Sequence, residues 1–271
     1  SYTLSQRDTP VLEPSTAAMT LKVNGDLMHF DGTDSLLFVK RQQVRQVVAS
    51  PYYVRDSVRE EYNAVVLYFK WYILTFRLYN EGMAYRFWNG ARGTYPPQVV
   101  HDNNRFVFPQ DAQVWASYCN RQRESGEDWN KWMARQMATS FENVYAHEPL
   151  NAMDTSRLAM LPLLVELPGG KKALISESNL ENYAGMYLRH SGDNQLVSHF
   201  AALPSSVRQG GHNNLQFLVH DTRPYIARNP ESNTYPWRCV IGADEDRRLV
   251  DNDMVYLLAD TSRIDDVSWI K

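Results

Sequence analysis

The chain is 271 residues long, enough for one large domain or two small ones, since domains commonly run to about 100–200 residues and β-sandwiches reach ~250. Hydrophobic residues make up 44% and charged residues 22%, which excludes a disordered chain. With 28 Lys+Arg against 31 Asp+Glu the net charge is -3, too balanced for a general polyanion binder. The longest apolar stretch, Ala64 to Tyr79, is broken by Lys70 and Arg77 and falls short of the ~20 residues that cross a bilayer, so no membrane span is expected. Cys119 and Cys239 form no metal-spaced set, and so sparse a pair decides neither bridging nor redox compartment.

Abundant aromatic and β-branched residues in short alternating runs favour strands. Met19-Thr20-Leu21-Lys22-Val23 alternates and meets Asn24-Gly25, a pair that accepts positive φ, so a strand ends there in a tight turn. Val65 to Phe69 and Ile73 to Tyr79 lead into Asn80-Glu81-Gly82, and Met83 to Trp88 returns as the second arm of a hairpin. Arg121 to Asp128 is the most polar window. The Trp129 to Arg135 run after it reads as a short helix or an insertion packing two indoles on the body. Pro162 to Leu167 and Lys172 to Ser176 flank Pro168-Gly169-Gly170, whose turn chemistry folds one strand back on the other. Asn179 to Tyr183 reads as one helical turn. No rhythm of strand and ten-residue helix appears, so the expected fold is all-β, mainly antiparallel, a large sandwich with a few short helices. No repeat of 20–50 residues supports a propeller or solenoid.

Most chemical motifs reduce to structure. Gly169-Gly170-Lys171-Lys172 lacks phosphate-loop spacing and joins two strands. The seven histidines contain no HExxH and no i, i+4 pair on a plausible helix. Asp251-Asn252-Asp253 lacks the later ligands of a calcium loop and reads as a solvated turn. No Gly-x-Ser-x-Gly elbow occurs. Exposed tryptophans could hold sugar rings, yet core packing is expected for most of the seven. Glu60-Glu61, Asp244-Glu245-Asp246 and Asp265-Asp266 are sequence neighbours that a strand sends to opposite faces, so each reads as a polar edge or turn rather than a glycosidase pair. Glu177 stands out because it ends the apolar strand Ala173 to Ser176, before Ser178-Asn179-Leu180. It is either a cap and dipole partner of the following turn or a carboxylate on a rigid mount for a ligand.

Several separated segments resemble the N-terminal domain of glycoside hydrolase family 97, a family of α-glucosidases and α-galactosidases. They are Val11-Leu12-Glu13-Pro14-Ser15, the hairpin Arg77 to Phe87, Ile175 to Leu188, Tyr235-Pro236-Trp237-Arg238 and Ser268-Trp269-Ile270-Lys271. The resemblance implies a galactose mutarotase-like β-supersandwich over residues 1–267, with 268–271 starting the connection to a catalytic (β/α)8 barrel outside this chain. In such enzymes the catalytic acid and the base or nucleophile come from the barrel, so no catalytic residue is carried onto this sequence. Glu177 is carried over, as a ligand that reaches from the sandwich to a calcium ion in the active site. The resemblance further implies α-linked oligosaccharide substrates, a periplasmic or cell-envelope location, and no glycosidase activity in the isolated chain. Glu177 is expected to be exposed in this chain, at a strand end. The competing readings are a stand-alone carbohydrate-binding sandwich and a purely structural domain that shields the barrel.

Overall fold

The structure, a computed structural model, describes residues 1–50, 52–90, 93, 95–119, 123–129, 131–132, 143–228, 234–266 and 268–269. In chain order the strands begin with β1 (Tyr2–Gln6), β2 (Thr9–Val23), β3 (Asp26–Phe30), β4 (Leu36–Ala49), β5 (Ser57–Phe69), β6 (Tyr72–Tyr79), β7 (Gly82–Asn89), β8 (Gln98–Val107) and β9 (Gln113–Ala116). They continue with β10 (Ala146–Pro149), β11 (Leu163–Glu166), β12 (Lys172–Ser178), β13 (Met186–His190), β14 (Gln195–Phe200), β15 (Pro204–Gly210), β16 (Gln216–Thr222), β17 (Ala227–Arg228) and β18 (Trp237–Ala243). Among the described residues helix is found at α1 (Asp246–Val250), at α2 (Met254–Leu258), at residues 129 and 131–132 and in single turns.

A seven-stranded sheet runs β1-β2-β8-β14-β13, with β3 on β2 and β17 on β8. A nine-stranded sheet runs β10-β9-β11-β12-β18-β7-β6-β5-β4. Every pairing is antiparallel, as the alternating runs imply. The main core lies between the sheets, where Leu21, Phe30, Val99, Phe106 and Leu196 meet Tyr72, Phe87, Val114 and Ile175. The outer face of the nine-stranded sheet carries a second cluster, in which Trp237, Cys239 and Ile241 pack beneath Met254 and Leu258 of α2. Both cysteines are buried and free.

The expected turns form for the expected reason. Asn24 and Gly25 take φ of 51° and 101°, so a two-residue turn joins β2 to β3 with Val23 opposite Asp26. Gly169 and Gly170, each at φ 83°, let β11 fold back on β12. At Gly82 the requirement is spatial as well: a Cβ would sit 2.3 Å from the Val240 carbonyl oxygen of the neighbouring strand.

Three expectations need correction. Residues 179–183 form no helical turn, because Asn179 and Asn182 adopt φ of 62° and 52° and the chain bends instead of coiling. Of the seven tryptophans only Trp132 and Trp237 are fully buried; Trp71, Trp88, Trp115 and Trp269 are exposed. Glu60 is no polar edge, since it is buried against Gln46 and Arg77 while Glu61 points away. In the polar window, Arg123 lies over Trp129 and the Trp132 N–H donates to the Asp128 carbonyl, which starts a helical turn. Trp129 and Trp132 meet edge to face on the body, as an indole-packing insertion requires. Residues 121–122, 130, 133–142, 267 and 270–271 lie outside the described residues, and with them parts of the polar window and of the connection expected at 268–271.

The other rim of the nine-stranded sheet is β4, fourteen residues long and mostly exposed, with Lys40, Arg41 and Arg45 along it. Among the described residues no strand pairs with its free edge.

Candidate functional site

Three strands bring Glu177, Arg238 and Tyr85 into one row. Glu177 of β12 lies opposite Arg238 of β18, which lies opposite Tyr85 of β7, so all three side chains share the inward face. Arg238 is 2% exposed, and its fork reaches both ways. Nη1 donates to Glu177 Oε2 at 2.5 Å, and Nη2 donates to Asp102 Oδ2 at 2.5 Å, so the guanidinium bridges the two sheets. Asp102 is also held by the Tyr183 hydroxyl at 2.8 Å and by Asn104 Nδ2 at 2.7 Å, while the Tyr85 hydroxyl donates to Asn104 Oδ1. The rings of Phe200 and Tyr183 flank the guanidinium, 4.9 and 5.5 Å from its carbon.

Glu177 is the penultimate residue of its strand, and its side chain is only 9% exposed. The expectation of an exposed carboxylate is therefore corrected: the 185–186 segment folds over it, and the Met186 N–H donates to Oε1 at 3.0 Å. The capping role falls as well, because no helix follows. Burial pushes the Glu177 pKa up, and Arg238 and the Met186 N–H oppose that only in part. For Arg238, burial would lower the pKa, but Asp102 and Glu177 outweigh it and keep the guanidinium charged. Two carboxylates around one guanidinium leave a net charge of about -1 if both are ionised, with Glu177 the member nearer the surface.

A groove opens beside this network. β8 pairs with β17 at Gln98–Val99 and with β14 at Arg105–Val107, so among the described residues no strand pairs with the intervening stretch on that side. The opening is about 570 Å³, lined by Asp102, Asn103, His199, Phe200, Arg223 and Tyr225 among others. The Ser198 hydroxyl crosses part of the gap, donating to the Asp102 carbonyl and accepting from the Asn104 N–H.

Among the described residues no three His, Cys, Asp or Glu side chains gather closely enough to hold a metal ion. A hard cation wants 6–8 oxygens, and the chain supplies one carboxylate with lone pairs left over and a residual negative charge behind it. That donor set fits one ligand of a calcium site, not a whole site. Among the described residues, the other side chains singled out by the sequence form no rival centre. His147 stacks on Trp115 and bonds Glu166, and His190 bonds the Met153 and Asp193 carbonyls. Asp251 and Asp253 both pair with Arg55, so that loop is an ion-paired turn.

The family profile described as "Glycosyl-hydrolase 97 N-terminal" matches residues 1–261. The chain belongs to this glycosyl-hydrolase 97 N-terminal family. This glycosyl-hydrolase 97 N-terminal domain is 37% identical over 277 aligned positions to a retaining alpha-galactosidase of Bacteroides thetaiotaomicron, with all of the chain and 40% of the relative covered. A glycoside hydrolase family 97 enzyme from Pseudoalteromonas sp. strain K8, solved in complex with acarbose, superposes with a TM-score of 0.73 at 18% identity, covering 100% of the chain and 36% of that structure. A beta-arabinopyranosidase gives 0.63 at 17% identity, over 87% of the chain and 35% of its own. At such identities the solved structures speak for the fold alone. The domain thus spans well under half the length of these relatives.

Sequence reading found Glu177 but missed its partners. Arg238 was visible as a lone charge in the apolar strand Trp237 to Ala243, and Asp102 as the start of Asp102-Asn103-Asn104 inside a strand. A charge at a core position signals a buried partner, though it does not say which.

Proposed function

We propose that this domain is the non-catalytic N-terminal part of an α-glycosidase, packs on a catalytic barrel of the same polypeptide, and contributes Glu177 to a calcium site beside the reacting sugar. The single observation that carries this is the way Glu177 is held: a nearly buried carboxylate, fixed by Arg238 and the Met186 N–H, whose desolvation the domain itself does not fully offset. An additional cation would offset the rest. When bound, calcium would act as a Lewis acid on a substrate oxygen. The domain's own task is to fix the direction of one oxygen ligand and keep water from the guanidinium behind it. The substrate in this reading is an α-linked oligosaccharide, met in the periplasm or at the cell envelope.

The test is calcium titration by calorimetry on the polypeptide containing barrel and domain, wild type against Glu177→Gln. Weakened calcium binding with unchanged folding supports the reading; equal affinity overturns it. The exposed tryptophans favour a second reading, a carbohydrate-binding sandwich. Trp115, 38% exposed and stacked on His147 at 4.2 Å, is its best platform. Binding of maltotriose by the chain, lost in Trp115→Ala, would favour that alternative.

A further inference from the structure

Strands β15 and β16 belong to neither sheet. Among the described residues they pair only with each other, through a tip at His212–Asn214, and neither strand packs extensively on any other element. Register places Val207 opposite Val219 and Gln209 opposite Phe217, so one face of the ribbon carries three apolar side chains, with Leu215 near the tip. Phe217 is 72% exposed, Leu215 79% and Val207 51%. A two-stranded hairpin is at best marginally stable by itself in water, and apolar residues clustered on one unsupported ribbon mark a contact surface.

The root of the ribbon lies at the Glu177 end of the sandwich. Leu203 and Arg223 clamp it, with the Leu203 N–H donating to the Tyr225 carbonyl and the Arg223 N–H to the Leu203 carbonyl, both at 2.8 Å. Three residues before Leu203 stands Phe200, whose ring flanks Arg238 and whose register partner is Met186, the residue that holds Glu177. Thr222, Arg223 and Tyr225 also line the groove beside Asp102. Relatives of which this chain covers 36–40% carry a long further stretch of polypeptide.

We propose that the β15–β16 ribbon is a docking arm for the catalytic barrel of the same polypeptide, clasping it through Val207, Leu215 and Phe217 at the end where Glu177 is presented. This rests on the proposed function for the identity of the partner, but not on calcium. Hydrogen exchange read by mass spectrometry on the barrel-containing polypeptide tests it, comparing wild type with Leu215→Asp/Phe217→Asp. The expected result is that amides 204–222 exchange roughly tenfold or more slowly in the wild type than in the double variant, with Phe217→Leu retaining protection. Equal exchange in all three overturns the proposal. So does protection that rises with protein concentration together with a doubled mass in light scattering, since the occupant is then a second copy. Calcium titration on the same samples separates the two ideas: Glu177→Gln should lose calcium affinity and keep arm protection, whereas the arm variants should lose protection and keep Glu177 held by Arg238.

Discussion

Arg238 Nη1 lies 2.5 Å from Glu177 Oε2, a contact between residues 61 apart in sequence that ties the end of strand β12 to the middle of the sandwich. Because Arg238 also holds Asp102 across the sheets, the candidate ligand and the core share one guanidinium.

The first prediction follows from that sharing. Arg238→Met removes the cation that two nearly buried carboxylates share, and breaking a buried pair in this way costs about 3–5 kcal/mol. Urea denaturation of the chain at neutral pH should show a loss in that range. A loss below about 1 kcal/mol would mean that water reaches the pair and that the site is less enclosed than described.

Glu177→Gln should behave differently. The amide keeps the shape and an acceptor for Arg238, and Asp102 still balances the guanidinium, so folding should change by no more than about 1 kcal/mol. Thermal melts of the chain check this, and a large destabilisation would make Glu177 chiefly a structural residue.

A third prediction concerns pH. Burial, with Arg189 nearby, lowers the His199 pKa to about 4, and its Nε2 is buried without a hydrogen-bond partner. The unfolded chain takes up this proton near pH 6.5 and the folded chain only near 4, so the contribution of His199 to stability is intact above pH 6.5 and is lost as pH falls toward 4. Relative to His199→Phe, the wild type should lose at most roughly 3 kcal/mol across that window. Parallel urea melts between pH 4.5 and 7 measure it, and a pH-independent difference would contradict the assignment.

Gly82→Ala should cost about 3 kcal/mol or more, since φ is 152° and the new Cβ would strike the Val240 carbonyl of the adjacent strand. Chemical denaturation reads this directly; a near-neutral result would mean that β18 moves aside freely.

The strands were legible because alternation and turn chemistry are local. Asn24-Gly25 and Pro168-Gly169-Gly170 need only their own backbone preferences to act. The turn at 179–183 was misread because two asparagines can take the left-handed region as easily as they enter a helix, and here a contact of Asn179 with Asp260, 81 residues away, accompanies the bend. The site was legible only as Glu177. Its anchors Asp102 and Arg238 are 136 residues apart, and no sequence window contains both. The exposed tryptophans were misjudged because composition counts aromatic area without saying which face of a strand carries it.

The long rim strand β4 has one more consequence. Alternate residues of this fourteen-residue strand turn their backbone donors and acceptors away from β5, and that open row is a template on which a second chain could add itself, strand upon strand, into a fibre. Lys40, Arg41 and Arg45 set like charges along that rim, so two copies approaching edge to edge meet repulsion before their backbones can pair, which disfavours extension of the sheet on this side.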